Sequence, residues 1–413
     1  MERVILHSDL NNFYASVECA YNNKLKDKPV AVCGDGEKRH GIVLAKNYIA
    51  KSCGVRTGEA LWEARQKCPD IVFIKANFNR YIQFAEKVRK IYSDYTDKIE
   101  DFGLDECWLD VTDSKVFGSG EEIAGIIRQR VKTELGLTAS IGVSYNKIFA
   151  KLGSDLKKPD ATTIITKQNY KDVVWSLPAR DLLYVGRQTE AKLKKFFDIR
   201  TIGDIARADV KQLKNKLGLY GYTLWVFANG YDTSSVKFNY DKPYIKSVGN
   251  STTTPRDLVS DEDVKVTLYL LCESVASRLR ELNLRAATVQ ISVRDNNLGW
   301  YQRQSTLNFP VCVSDAIFKE AFTLYKENHP CGMPIRTIGV RASGLIANKV
   351  TQISFLPDVK NQIKNEELER AIDKIRNRYG YYTIRRGLMY EDKDLSDLNP
   401  KEDHLIHPES YFR

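Results

Sequence analysis

The amino-acid sequence predicts an α+β fold, and three observations carry that expectation. Short apolar runs of strand length alternate with stretches of helical periodicity through residues 1–166. One run, Glu100-Asp-Phe-Gly-Leu-Asp-Glu-Cys-Trp-Leu-Asp110, turns back on itself as an antiparallel hairpin. From Ser247 the order becomes strand, helix, strand, strand, helix, strand. At 413 residues the chain exceeds one ordinary core, so about two to four domains are expected.

Composition narrows the class. Hydrophobic residues make up 43% and charged residues 28%, as in globular proteins. No apolar run approaches a membrane span and no apolar leader opens the chain, so a cytoplasmic location is expected. The eight cysteines show no C-x-x-C pair and no His at zinc-ligand spacing, which reads as reduced thiols. The net charge is +10, and it is concentrated: Lys147 to Lys216 holds sixteen Lys or Arg against eight Asp or Glu, a difference of +8. Such a segment suits a polyanion, although a solvated face reads the same way.

The chemistry gathers at the hairpin. Asp105 and Glu106 are adjacent, and neighbours on a flat strand point to opposite faces. A bend at Gly103-Leu104 lets both reach one place. Acids held together repel, and a divalent cation relieves that repulsion. A solvated turn is the plainer alternative. Val4-Ile-Leu-His-Ser-Asp9 reads as a buried strand that presents Asp9 at its carboxyl end. Three hard oxygen donors of this kind suit Mg²⁺.

Three blocks occur in order: Asp9-Leu-Asn-Asn-Phe-Tyr-Ala-Ser-Val-Glu18, Gly103-Leu-Asp-Glu106, and Ser140-Ile-Gly-Val-Ser-Tyr-Asn-Lys-Ile-Phe-Ala-Lys-Leu-Gly-Ser-Asp155. They resemble the blocks of Y-family DNA polymerases of the DinB, or polymerase IV, type, and the likeness runs from residue 1 to about residue 390. The resemblance implies a right-hand polymerase. It has a palm (1–18 and 77–166), small fingers (19–76), a helical thumb (167–233), a linker (234–246), a little finger of four strands and two helices (247–346), and a tail (347–413).

Taken along the chain, the resemblance assigns Asp9, Asp105 and Glu106, with the Leu10 carbonyl, to two Mg²⁺ ions, Mn²⁺ being able to substitute. Glu106 is the acid that matters most at the catalytic ion. Asn12, Phe13 and Tyr14 open a helix whose N–H groups suit a triphosphate, and Tyr14 is the steric gate against a 2′-hydroxyl. Many relatives carry a second acid where this chain has Asn11, which brings no charge. Activity is expected to survive that change. In the fingers, Pro29–Cys33 and Ile42–Ala45 read as paired strands, followed by a short helix that stops at Gly54. Tyr48 and Lys51, three apart on that helix, match residues that hold the triphosphate. Ile42, Leu44 and Gly58 form the roof over the base pair. A small roof implies low fidelity and lesion tolerance. Helices are expected over 81–95 and 121–135, a strand over 138–144, and a helix from Asn146 that ends at Lys157-Lys158-Pro159. Lys158 matches the lysine that reaches the β- and γ-phosphates.

The thumb resembles a helix-hairpin-helix around Gly186 and Arg187, although Arg187 and Gln188 stand where a second glycine is usual. Arg294, Arg303 and Arg341 lie on or near little-finger strands and are candidate phosphate contacts. In the tail, Gln352, Ile353, Phe355 and Leu356 loosely resemble a bacterial sliding-clamp motif. An amphipathic helix is expected over 366–379, and an acidic, then irregular end from Tyr390. The reading is a monomeric translesion DNA polymerase acting on primer–template DNA and dNTPs. A palm-fold nucleotide cyclase and a non-catalytic DNA-binding scaffold are the alternatives.

Overall fold

Strand β1 (Ile5–Leu10) is buried along its whole length and lies at the centre of the first sheet. It passes through Asn11 and Asn12 into α1 (Phe13–Tyr21). Next come β2 (Val30–Cys33), β3 (Val43–Lys46), the short helices α2 (Tyr48–Ser52) and α3 (Leu61–Lys67), and β4 (Val72–Lys75). These strands form a small separate sheet in the order β3-β2-β4. The β2–β3 pairing is as expected from sequence; β4 adds a parallel partner to β2. The chain then returns to the first sheet through α4 (Phe78–Ser93), β5 (Ile99–Asp101), β6 (Glu106–Asp110), α5 (Gly120–Leu135), β7 (Ala139–Ser144), α6 (Lys147–Leu156) and β8 (Thr162–Ile165). Its order is β5-β6-β1-β7-β8, antiparallel except for β7 with β8.

This computed structural model describes residues 2–34, 41–241, 245–347, 357–397 and 399. The chain divides into two units, one built on residues 1–34 and 42–242, the other on residues 243–407.

Alternation along the strands decides what each face carries. Leu6, Leu10, Leu109 and Ile141 join Val88 of α4 and Ile127 of α5 in one core. On the other face, Ile5 and Trp108 meet Ala150 of α6. Gly142 lets α6 settle this closely on β7, because a Cβ there would lie 1.9 Å from the Ala150 carbonyl oxygen. Asp9 and Glu106 belong to the same α6-facing set as Ile5, His7 and Trp108. The basic segment that follows folds as α7 (Tyr170–Val174), α8 (Arg187–Phe197), α9 (Ile202–Arg207), α10 (Val210–Leu217) and α11 (Leu219–Ala228) around its own core.

In the second unit, β9 (Ser247–Leu258), α12 (Asp261–Glu281), β10 (Leu284–Asp295), β11 (Trp300–Val311), α13 (Ser314–Asn328) and β12 (Ile335–Ala347) follow the expected order. The sheet runs β11-β10-β12-β9, antiparallel throughout, and α12 and α13 share its core. Beyond it lie α14 (Pro357–Tyr379) and α15 (Lys393–Ser396). Of the end expected to be acidic and then irregular from Tyr390, the acidic part carries the short helix α15, and most of the remainder lies outside the described residues. Met389 and Leu395 are buried in the core of this unit, and Asp392 pairs with Arg256 at 2.6 Å. Asp392 also caps α15 by accepting the Leu395 N–H at 2.9 Å. The four clamp-motif residues, Gln352, Ile353, Phe355 and Leu356, lie outside the described residues. No described helix is long and apolar enough to cross a membrane.

Candidate active site

Asp9 and Glu106 are partners across the antiparallel β1–β6 pair, so their side chains leave the same face of the sheet. Asp105 precedes β6 in a bend over residues 102–105, where Gly103 takes a φ of 111°. A side chain at that φ is strained, which explains the glycine. The hairpin is closed by the Phe102 N–H donating to the Glu106 carbonyl at 2.9 Å, and the Leu10 N–H donates to the Asp105 carbonyl at 3.0 Å. Asp9, Leu10, Asp105 and Glu106 thereby line one open pocket of about 300 Å³.

The acids differ in their electrostatics. Burial raises the Asp9 carboxyl to about 7, against the pull of the Lys158 ammonium at 2.7 Å. Burial and the neighbouring Glu106 raise Asp105. Burial works upward on Glu106 too, but His7 and Lys151 outweigh it and hold that carboxyl at about 2. His7 is fully buried, with Nε2 3.3 Å from Glu106 and Nδ1 2.9 Å from the Ser154 hydroxyl. Burial pushes its imidazole down to about 4.

The opposite wall is built by α1, β3 and Lys158. Asn12 sits at the helix N-cap with a φ of 50°, and its buried Nδ2 has no hydrogen-bond partner among the described residues. Phe13 is buried, while the Tyr14 ring stacks on Tyr81 at 4.4 Å and 13°. Tyr81 is itself fixed, its hydroxyl donating to Glu18 at 2.9 Å. Asn12, Phe13, Tyr14, Leu44 and Lys158 line the pocket. Gly58 donates its N–H to the Val43 carbonyl at 2.8 Å, and Ile42 pairs with Ala60. Lys51 lies over the Tyr48 ring at 5.4 Å. Ile42, Tyr48, Lys51 and Gly58 are not among the lining residues.

Residues 8–155 match the impB/mucB/samB family and residues 245–355 match its C-terminal domain. The chain is 52% identical to DNA polymerase IV of Acetivibrio thermocellus over 96% of its own length and 100% of that protein. It is 35% identical to DNA polymerase IV 1 of Bacillus subtilis, over 93% of this chain and 92% of that one. The chain belongs to the DinB-type Y-family DNA polymerases. The fold agrees: the solved Y-family DNA polymerase chimera Dbh-Dpo4(243-245)-Dbh superposes with a TM-score of 0.73 at 23% identity, covering 84% of this chain and 100% of that one. Membership implies DNA binding and dependence on a divalent cation, and it counts against the cyclase and scaffold readings.

Elsewhere in the polymerase, Gly186 is the N-cap of α8, and Arg187 opens that helix exposed to solvent. In the second unit, Arg341 stands opposite Gln290, and Arg294 opposite Thr337. Both arginines are exposed on the face away from α12 and α13. Arg303 does not join them. Its cross-strand partner is the buried Ile291, so it leaves the helix-backed side, where its Nε donates to Asn328 of α13 at 3.0 Å.

Ala45, Lys46, Thr57, His7 and Lys151 escaped the sequence reading. Lys46 and Thr57 line the pocket and share a hydrogen bond of 3.0 Å. Lys46 was legible in principle, two residues from Leu44 on one strand face. His7 and Lys151 back Glu106, His7 two residues before Asp9 on the same face of β1. Lys151, four residues after Lys147, carried only the signal of a shared helix face.

Proposed function

We propose that this translesion DNA polymerase extends a primer 3′-hydroxyl at a site where Asp9, Asp105, Glu106 and the Leu10 carbonyl hold two Mg²⁺ ions. The observation that carries the reading is Asp9 opposite Glu106, with Asp105 in the adjoining bend of one pocket wall. The donor set fits such ions. Three hard oxygen groups converge on one pocket, and a cation there would relieve the repulsion between the neighbouring carboxylates Asp105 and Glu106. When bound, the ions would neutralise developing charge and favour the ionised attacking oxygen.

The chain's own groups supply positioning, which is most of what phosphoryl transfer asks of a protein. Lys158, Tyr48 and Lys51 receive the triphosphate. The unpartnered Asn12 amide and the first-turn N–H groups of α1, through Phe13 and Tyr14, add donors. Tyr14, held against Tyr81, closes the side of the sugar where a 2′-hydroxyl would lie. Ile42, Leu44 and Gly58 cover the nascent base pair. The subdomain boundaries read from the sequence belong to this proposal, as does a monomeric state. DNA is gripped through Gly186 and Arg187 on one unit and Arg294 and Arg341 on the other. A sliding clamp engages Gln352, Ile353, Phe355 and Leu356, a contact supported by the sequence of that stretch alone.

Primer extension with each nucleotide supplied singly tests the site. Asp105→Ala should bind primer–template DNA as before and extend nothing. Unchanged extension would end the metal assignment.

A further inference from the structure

We propose that Asn11 is a positioning residue for Lys158, acting on the incoming nucleotide and holding no metal. The inference rests on the assignment of Lys158 to the triphosphate.

Asn11 follows β1 directly, two residues beyond Asp9, and is 2% exposed. Its backbone is held on both sides: the N–H donates to the Thr138 carbonyl at 2.8 Å, and the carbonyl accepts from the Ser16 hydroxyl at 2.7 Å. The side chain does not line the pocket. Its Nδ2 donates to the Ser140 hydroxyl at 3.0 Å, and its Oδ1 accepts the Asp160 backbone N–H at 2.9 Å.

Asp160 lies two residues after Lys158. Its carboxylate pairs with Arg128 at 2.8 Å and Lys132 at 2.9 Å, both on α5. The turn that carries Lys158 is therefore gripped by α5 through a side chain and by the end of β1 through a backbone N–H. The Lys158 ammonium lies 2.7 Å from Asp9 and 2.8 Å from Asp155. One strand end thus fixes both members of the Asp9–Lys158 pair: Asp9 by its own place on β1, Lys158 by way of Asn11. A lysine stem is long and flexible, so where its ammonium dwells depends on where the turn beneath it is held. Nothing in this role needs a charge. An amide or a carboxylate can each accept the Asp160 N–H and meet the Ser140 hydroxyl, whereas alanine does neither.

Single-nucleotide primer extension decides the matter. In Asn11→Ala the KM for dNTP should rise about tenfold, with kcat changed by less than about twofold, the signature of binding lost equally from ground and transition states. Asn11→Asp should restore the KM. Titration of the nucleotide-free protein with Mn²⁺, followed by electron paramagnetic resonance, should give the same affinity for Asn11→Ala as for the unsubstituted chain. In a Lys158→Ala background, Asn11→Ala should add nothing further to KM. An unchanged KM with weakened Mn²⁺ binding would overturn the proposal, as would full additivity in the double variant. If Lys158→Ala alone leaves KM unchanged, the triphosphate assignment itself falls. If Lys158→Ala raises KM and Asn11→Ala does not, only the positioning role falls. Should Asn11→Ala not fold, Ser140→Ala frees the same amide and must raise KM in the same sense.

Discussion

Lys151 of α6 forms an ion pair with Glu106 of β6, on the face of the sheet that α6 covers. His7 approaches the same carboxylate from β1 at 3.3 Å. Glu106 is thus ionised and already compensated, while its neighbours Asp9 and Asp105 are pushed toward protonation. A lysine on a carboxylate competes with any other cation for it. We predict that Lys151→Met binds Mn²⁺ about tenfold more tightly than the unsubstituted protein when nucleotide is absent, since one charge-assisted hydrogen bond no longer has to be displaced. Direct Mn²⁺ titration checks this. Equal or weaker binding would mean that Lys151 only orients Glu106.

Tyr14 is held by packing. Its ring lies flat on Tyr81, edge-on to Phe78 at 6.0 Å, and Tyr81 is tied to the buried Glu18. A gate of this kind works by occupying volume, so truncating it should admit a ribose. Tyr14→Ala should gain rNTP incorporation by about tenfold or more, while dNTP incorporation changes far less. The ratio of kcat/KM for the two nucleotides on one template is the measurement. An unchanged ratio would remove Tyr14 from sugar selection.

Local signals made most of this legible. Apolar β1, the glycine bend at Gly103 and the helical spacing over 121–135 each state their own conformation. The meeting of Asp9 with Glu106 was reachable because both end strands of one sheet. What escaped depends on which face a residue takes after tertiary packing. His7 looks like one more residue of a buried strand until β6 is laid beside β1. Arg303 reads like Arg294 until the register with Ile291 turns it to the other side. In residues 390–397 Asp392 caps α15 locally, but its pairing with Arg256, more than a hundred positions earlier, has no local signal.

The two faces of the second sheet give a prediction with an internal control. Arg294 and Arg341 lie on the open face among uncharged neighbours such as Gln290 and Thr337, whereas Arg303 faces α13. If duplex DNA lies on the open face, Arg294→Ala and Arg341→Ala should each weaken binding and lower the slope of log affinity against log salt by about 1. Arg303→Ala should leave that slope unchanged. Binding measured across a salt series separates the three. A slope that falls for Arg303→Ala alone would place the DNA on the other side.

The start of α12 should show a defined acid sensitivity. Asp263 accepts the Val259 and Ser260 N–H groups at 3.0 and 3.2 Å and is clasped by Arg256 at 2.6 and 3.0 Å. The Arg256 guanidinium, with help from those N–H groups and against the upward push of burial, holds its carboxyl at about 2, below the ordinary 3.8. A carboxyl depressed on folding stabilises the fold above its unfolded value and loses that contribution as pH falls through its folded value. Asp263→Asn should therefore cost about 1–2 kcal/mol at neutral pH, where a cap and a charge-assisted pair are both weakened. The gap to the unsubstituted protein should be constant down to about pH 5 and close to roughly half by pH 3, midway between the two values. Urea denaturation across that range reads it directly. A gap that did not narrow would mean that the shape of the side chain, and not its charge, secures the helix.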